Sequence, residues 1–176
     1  VDMDEESTNR EGVSRQVEPN WLNPRELRAW RAFIDARHQV GVHLDRGLQE
    51  SGLSGADYEV LALLSDHDGD RMPSHQLRNA LGWEKSRLSH QLRGMEKSGL
   101  ISREPNPADA RSTMVCLLPV GRTAIDKAAP GHVADVRRVF LDLLTPAELD
   151  QLTVLHERIL HHLVTDADSC AADEPS

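Results

Sequence analysis

The stretch from Arg71 to Arg111 concentrates positive charge in an otherwise acidic chain. It holds Arg71, Arg78, Lys85, Arg87, Arg93, Lys97, Arg103 and Arg111 against Glu84, Glu96, Glu104 and Asp109, a net +4. The whole 176-residue chain has a formal net charge of −9, so the remainder carries −13. Lys and Arg neutralise phosphates, and Arg can bond guanine O6 and N7 in bidentate fashion. A basic island on an acidic body is therefore the charge pattern of a nucleic-acid contact. Solvated helix faces, or a module that binds only other proteins, are the plainer alternatives.

Other chemistries find less support. The nine histidines include His38 and His43 in one helical stretch and His156, His161 and His162 in another, and neither set has the i, i+4 pairing of helical zinc motifs. No metal and no cofactor is assigned, although a dimer could still assemble histidines into a metal-responsive site. Cys116 and Cys170 are too few for a disulfide framework and do not form a CxxC motif. A reducing cytoplasm is the expected setting. No G-x-S-x-G, phosphate-binding Gly-rich loop or His-Glu-x-x-His occurs, so an enzyme is not expected. The acidic start Val-Asp-Met-Asp-Glu-Glu does not read as a secretory signal, and no apolar run suits a membrane span.

The elements that would position the cations are mostly helical. Residues 1–20 are polar and acidic and are expected to form a flexible arm. Asn23, Pro24 and Glu26 spell a helix entry with a capping box, followed by Leu27, Trp30, Ile34, Gly41, Leu44 and Leu48 on one stripe, ending near Ser51-Gly52. A second helix opens at Ser54 with Asp57 as capping partner and buries Val60, Leu61, Leu63 and Leu64. After a turn at His67–Arg71, Ser74 is expected to cap a short helix carrying Leu77 and Leu81 and closed by Gly82. The next helix, about Lys85 to Ser98, has Leu88, Leu92 and Met95 inward and is stopped by Gly99. Strands are expected at Leu100–Arg103 and Thr113–Leu118, joined by a Pro- and Asn-containing loop. A helical stretch from Pro119 to about Leu144 should break at Ala129-Pro130-Gly131, because proline disrupts a helix interior. Thr145-Pro146-Ala147-Glu148 opens the last helix, whose stripe is Leu149, Leu152, Leu155, Ile159 and Leu163. A tail from 166 to 176 is expected to be flexible.

Two successive helices with a tight turn, followed by a hairpin, make a winged helix-turn-helix. Ser86, Arg87, Ser89, His90 and Arg93 then lie on the outer surface of the second helix, where base edges would be read, while Lys85 and Lys97 suit phosphates. Glu84 opposes phosphate contact unless it orients an arginine.

The run Asp109-Ala-Arg111-Ser-Thr-Met-Val-Cys-Leu117-Leu118-Pro119-Val-Gly121 resembles the wing signature of the MarR family: Asp, any residue, Arg, five residues, Leu-Thr, two residues and Gly. Leu81-Gly82-Trp83-Glu84-Lys85-Ser86 and Glu96-Lys97-Ser98-Gly99-Leu100-Ile101 look like that family's helix junctions. One departure stands in the wing signature: Leu118 replaces Thr, removing the side-chain cap of the following helix, a contribution of about 0.5–2 kcal/mol. The resemblance implies a mainly α fold with a small β-hairpin wing. Residues 53–118 would form the DNA-binding winged helix-turn-helix. The N- and C-terminal helices, 21–52 and 119–165, would interlace between two subunits as a dimerisation lobe. It further implies that Arg111 enters the minor groove, that Asp109 braces the wing, and that Ser74, Lys85, Ser86, Arg87, Ser89, His90, Arg93 and Lys97 complete the DNA contact. The expected partners are double-stranded DNA with a palindromic operator, a second copy of the chain, and a small aromatic or phenolic effector that releases a repressor. Trp30, Phe33, His38, Asp57 and Tyr58 are the candidate effector residues; the alternative is an ordinary aromatic core cluster. Relatives that sense peroxide carry a cysteine near the start of the first helix, which this sequence lacks.

Overall fold

The computed structural model describes residues 19–107 and 109–172, with nothing described for the side chains of 110, 111 and 167–172. Most of the expected arm, residues 173–176 of the expected tail and the side chain of Cys170 therefore fall outside it. The chain divides within its first helix into one compact unit up to Ala36 and a second from Arg37 onward.

The first helix, α1 (Pro24–Glu50), starts where its sequence says. Asn23 Oδ1 accepts from the Arg25 and Glu26 amides at 2.9 and 3.0 Å, and Glu26 Oε2 accepts from the Asn23 amide at 2.8 Å. That reciprocal pair satisfies donors left open by the helix start. Helix α2 (Gly55–Asp66) carries a second capping box between Ser54 and Asp57, and buries Val60, Leu61 and Leu64 completely. Leu63, expected among them, is half-buried.

A 3-10 turn at Asp68–Asp70, with Gly69 and Asp70 at positive φ, leads into strand β1 (Arg71–Pro73). Arg122 holds this turn from outside, donating to the Asp70 carboxylate and, at 3.3 Å, to the Ser65 carbonyl. Strand β1 was not expected. It pairs antiparallel with a strand some forty residues later, Met72 opposite Val115, a non-local pairing that three residues cannot announce by periodicity.

Helix α3 (Ser74–Leu81) and helix α4 (Lys85–Lys97) form the helix-turn-helix. Ser74 does not cap α3, contrary to the expectation from its type. Pro73 occupies the cap position because it ends β1, so Ser74 is already helical and α3 has no side-chain cap. Gly82 and Gly99, at φ 62° and 70°, close the two helices. The following amides, Trp83 and Leu100, reach back to the carbonyls of Arg78 (3.2 Å) and Met95 (3.0 Å), a Schellman closure that needs the left-handed residue.

Strands β2 (Ile101–Asn106) and β3 (Asp109–Leu117) complete a three-stranded sheet in the order β1-β3-β2. Both run further into the expected loop than the sequence indicated. Cross-strand pairing continues through Glu104 opposite Met114 and Pro105 opposite Thr113, with an irregularity between Pro105 and Asn106. Pro105 is tolerated because β2 is an edge strand.

Helix α5 (Pro119–Val139) passes unbroken through Pro130, contrary to expectation. Pro130 lies on the exposed side, where water can bond the carbonyl that loses its amide partner, while Gly121, Ile125 and Ala128 hold the opposite face in the core. Leu118 precedes α5 without a side-chain cap, as its apolar type requires. Gly121 has a packing reason: a Cβ there would collide with the Leu100 carbonyl and sit 2.7 Å from Leu117 Cδ1.

Helix α6 (Pro146–Ala172) starts with Thr145 and Glu148 in reciprocal hydrogen bonds of 2.8 and 3.3 Å. It runs past Val164, where the apolar pattern ends, because no glycine or proline interrupts the following residues. One core, including Leu61, Leu64, Leu77, Met95, Ile101 and Val115, joins α2, α3, α4 and the sheet. Along α6, by contrast, Val154, Leu155, Ile159, Leu160, Leu163 and Val164 are each more than half exposed. Among the described residues, no helix is long and apolar enough to cross a membrane.

Candidate nucleic-acid interface

Helix α4 presents its cations through helical spacing. With Leu88, Leu92 and Met95 buried, the positions opposite them are Ser86, His90, Arg93 and Lys97, which follow one another at three- and four-residue steps on a single stripe. All four are exposed. Arg93 is steadied by its Nε donating to the Ser89 carbonyl at 3.3 Å. Arg87 lies to one side, its guanidinium 4.2 Å over the ring of the buried Trp83, a cation–π contact that limits where the side chain can go.

Lys85 and Ser89 lie on the flank of α4 that faces the wing. Together with Ser74, His75 and Arg78 of α3, Arg103 of β2, and Ser112 and Thr113 of β3, they line a cleft of about 370 Å³ floored by Leu88 and Leu92. Three of its residues are permanently cationic and none is a carboxylate. The uncapped start of α3 opens beside it, adding the partial positive charge of unbonded amides. Such a cleft suits an oxyanion chain such as a phosphodiester backbone.

An ion pair holds the wing against α4, and hydrogen bonds within the hairpin brace its far end. Arg103 donates to Glu96 through Nε at 3.0 Å and through its terminal nitrogen at 2.5 Å. That hydrogen bond keeps the Glu96 carboxyl below its ordinary pKa. At the far end the buried Asn106 donates to Ser112 Oγ at 2.7 Å. Asp109 faces Asn106 across the ladder, and its carbonyl accepts from Ser112 at 3.3 Å. Arg111 lies two residues further along β3.

The structure thus brings Ser74, Lys85 and Ser89 together in the cleft, places Ser86, His90, Arg93 and Lys97 on the outward stripe, and sets Arg87 on its flank. Sequence reasoning missed His75, Arg78, Arg103, Ser112 and Thr113 as cleft residues. Arg78 and Arg103 had been counted in the basic island, and that was the signal available. The carboxylate that orients an arginine is Glu96; Glu84 ends up at the start of α4, making no capping bond.

A second cavity, of about 400 Å³, lies away from this face between α1, α2 and α5. Its walls are Gly41, Leu44, Asp45 and Leu48, then Gly55, Tyr58, Glu59 and Ala62, and finally His132. The Tyr58 and His132 rings pack at 4.2 Å between centroids. Burial, and then the nearby Asp66 charge, raise the Tyr58 pKa. Burial lowers that of His132 against the opposing pull of Asp135. Of the five residues suggested for an effector, Tyr58 lines this cavity. Asp57 is engaged elsewhere: one oxygen accepts from the Ser54 amide at 3.0 Å and the other from Gln91 Nε2 of α4 at 2.7 Å. His38 is exposed on α1. Trp30 and Phe33 belong to the N-terminal unit, where their rings lie 5.9 Å apart and both are largely exposed. Cys116, in β3, has its thiol pKa raised by burial, which suppresses the reactive thiolate. Among the described residues, no three His, Cys, Asp or Glu side chains are grouped to hold a metal.

The family profile described as MarR family matches residues 51–112. The uncharacterized HTH-type transcriptional regulator YkoM of Bacillus subtilis (strain 168) is 30% identical over 131 residues, covering 74% of this chain and 83% of that protein. The chain belongs to the MarR family. The crystal structure of AbsC, a MarR family transcriptional regulator from Streptomyces coelicolor, superposes with a TM-score of 0.80 at 39% identity, covering 84% of this chain and 99% of that one. Sco3205, a MarR family transcriptional regulator from the same organism solved in complex with DNA, gives a TM-score of 0.79 at 33% identity over 84% of this chain and 92% of its own. The MarR-family chain is accordingly a transcriptional regulator rather than an enzyme, built on a winged helix whose sheet has one more strand than a hairpin.

Proposed function

We propose that this MarR-family regulator binds a palindromic operator as a homodimer, acts as a repressor, and is released by a small molecule. The observation that carries the DNA reading is the carboxylate-free cleft holding Arg78, Lys85 and Arg103 beside the exposed Ser86-His90-Arg93-Lys97 stripe. The stripe would read base edges in the major groove, the cleft would grip the flanking backbone, and Asp109 and Arg111 would bring the wing to the minor groove. The DNA complex of Sco3205 supports this reading.

The exposed apolar face of α6 supports a dimer, since a face this apolar is stable in water only when covered. Two-fold pairing would present two α4 helices about 34–36 Å apart, one turn of DNA, which is why the operator would be palindromic. The cavity at Tyr58 supports an effector site. Its α2 wall carries Asp57, whose bond to Gln91 reaches α4, so a ligand that shifts α2 would bias the recognition helix.

Footprinting on DNA upstream of the chain's own gene, with the mass of the complex measured in parallel, tests the proposal. Two chains on one protected symmetric site are expected. Monomer binding, or protection without sequence preference, would overturn it.

A further inference from the structure

The cavity between α1, α2 and α5 has a definite electrostatic character. Its apolar surface comes from Leu44, Leu48 and Ala62, and its aromatic surface from the Tyr58–His132 pair. Its charged groups are the carboxylates of Asp45 and Glu59, with no Lys or Arg among the lining residues. The start of α2 borders the cavity at Gly55, and a free helix start would favour an anion. Here those amides are already occupied by the chain's own acceptors. Asp45 Oδ1 accepts from Gly55 at 3.0 Å, Asp57 Oδ2 from Ser54 at 3.0 Å, and Ser54 Oγ from Asp57 at 3.1 Å. A ligand carboxylate would therefore meet two like charges and no open donor row.

Cations and donors on a ligand, by contrast, meet the Asp45 and Glu59 carboxylates. Burial lowers the His132 pKa and so favours the uncharged imidazole, which leaves the negative character of the lining in place. The Tyr58 ring offers a π face to a cation.

We propose that this cavity takes a planar aromatic ligand bearing a cationic or hydrogen-bond-donating group, such as an aryl amidine or amine, and discriminates against aromatic carboxylates. The inference rests on the effector reading and narrows its chemistry. Glu59 supplies the countercharge, Tyr58 and His132 hold the ring, and Leu44 and Leu48 exclude water from its edge.

Three probes of the same ring size separate the possibilities: benzamidine, benzyl alcohol and benzoate, titrated calorimetrically into the full chain. The expected order is benzamidine, then benzyl alcohol, then benzoate, with about a tenfold or greater gap between the first and last, one such factor corresponding to about 1.4 kcal/mol. Glu59→Gln should remove most of that gap while leaving benzyl alcohol unchanged, and Tyr58→Ala should weaken all binding. Benzoate binding as tightly as benzamidine, no binding of any probe, or benzamidine binding indifferent to both substitutions would each overturn the assignment. DNA affinity measured on the same protein keeps the two readings apart. Saturable DNA binding with a benzoate preference defeats only the ligand class, whereas absence of DNA binding defeats the regulator reading itself.

Discussion

Two concavities of similar size lie in the unit from Arg37 onward and have opposite character. The cleft between α3, α4 and the wing holds Arg78, Lys85 and Arg103 and no carboxylate. The cavity between α1, α2 and α5 holds Asp45 and Glu59 and no Lys or Arg. The first suits a polyanion and the second repels one. A net charge of −9 describes neither, which shows that partner choice follows the local field and not the sum. The helices behind them, α2 and α4, are joined by shared core packing and by a hydrogen bond from Gln91 to Asp57 at 2.7 Å. Asp57 lies on the α2 turn that walls the cavity, and Gln91 lies on the helix that flanks the cleft.

Reversing the sign of the cleft is the strongest way to break this contrast. Arg78→Glu combined with Lys85→Glu should lower operator affinity by about a hundredfold or more in an anisotropy titration, since each replaced contact is worth on the order of 1–3 kcal/mol. Thermal melting should be little changed, because both side chains lie at the surface of the cleft. Gly121→Ala attacks the frame instead. The new methyl would strike the Leu100 carbonyl where α5 meets the wing, and a loss of about 1–3 kcal/mol is expected in urea melts. Gln91→Ala cuts the hydrogen bond to Asp57. About 0.5–1.5 kcal/mol of stability should be lost, and the effect of a cavity ligand on DNA affinity should shrink while its own binding persists.

The smallest effect expected is a pH slope. The unfolded chain protonates histidine near about pH 6.5, whereas burial holds the folded His132 lower. The folded state therefore resists a proton that the unfolded state accepts. The associated stability is fully present above about pH 6.5 and is lost as pH falls toward the lower folded value. Denaturant melts at about pH 5.5 and 7.5 should show this difference, and His132→Phe should reduce it.

What the sequence disclosed was local. Asn23 with Glu26, Ser54 with Asp57, and Thr145 with Glu148 act over three residues, and all three capping pairs stand in the structure. Gly82 and Gly99 end their helices for the same local reason. What escaped depends on distant partners. Strand β1 exists because Met72 meets Val115, and its presence in turn moves the cap of α3 from Ser74 to Pro73. Pro130 argues locally for a break, yet core contacts on the opposite face of α5 keep the helix whole. Arg78 and Arg103 are unremarkable in sequence because the cleft they share comes from three elements. The cavity likewise joins Asp45, Tyr58 and His132 from three helices, so the residues suggested for it by type and proximity in sequence included only Tyr58.

The central claim is that an acidic chain binds DNA through its basic cleft and the exposed stripe of α4. Fluorescence anisotropy on a duplex from its own promoter region, repeated across a salt series, tests it most directly. The account predicts saturable, sequence-preferring binding whose logarithmic affinity falls linearly with the logarithm of salt, with a slope that drops by about two units when Arg78 and Lys85 are both replaced by alanine. Anisotropy that stays flat at low salt, or a slope untouched by the double replacement, would contradict it.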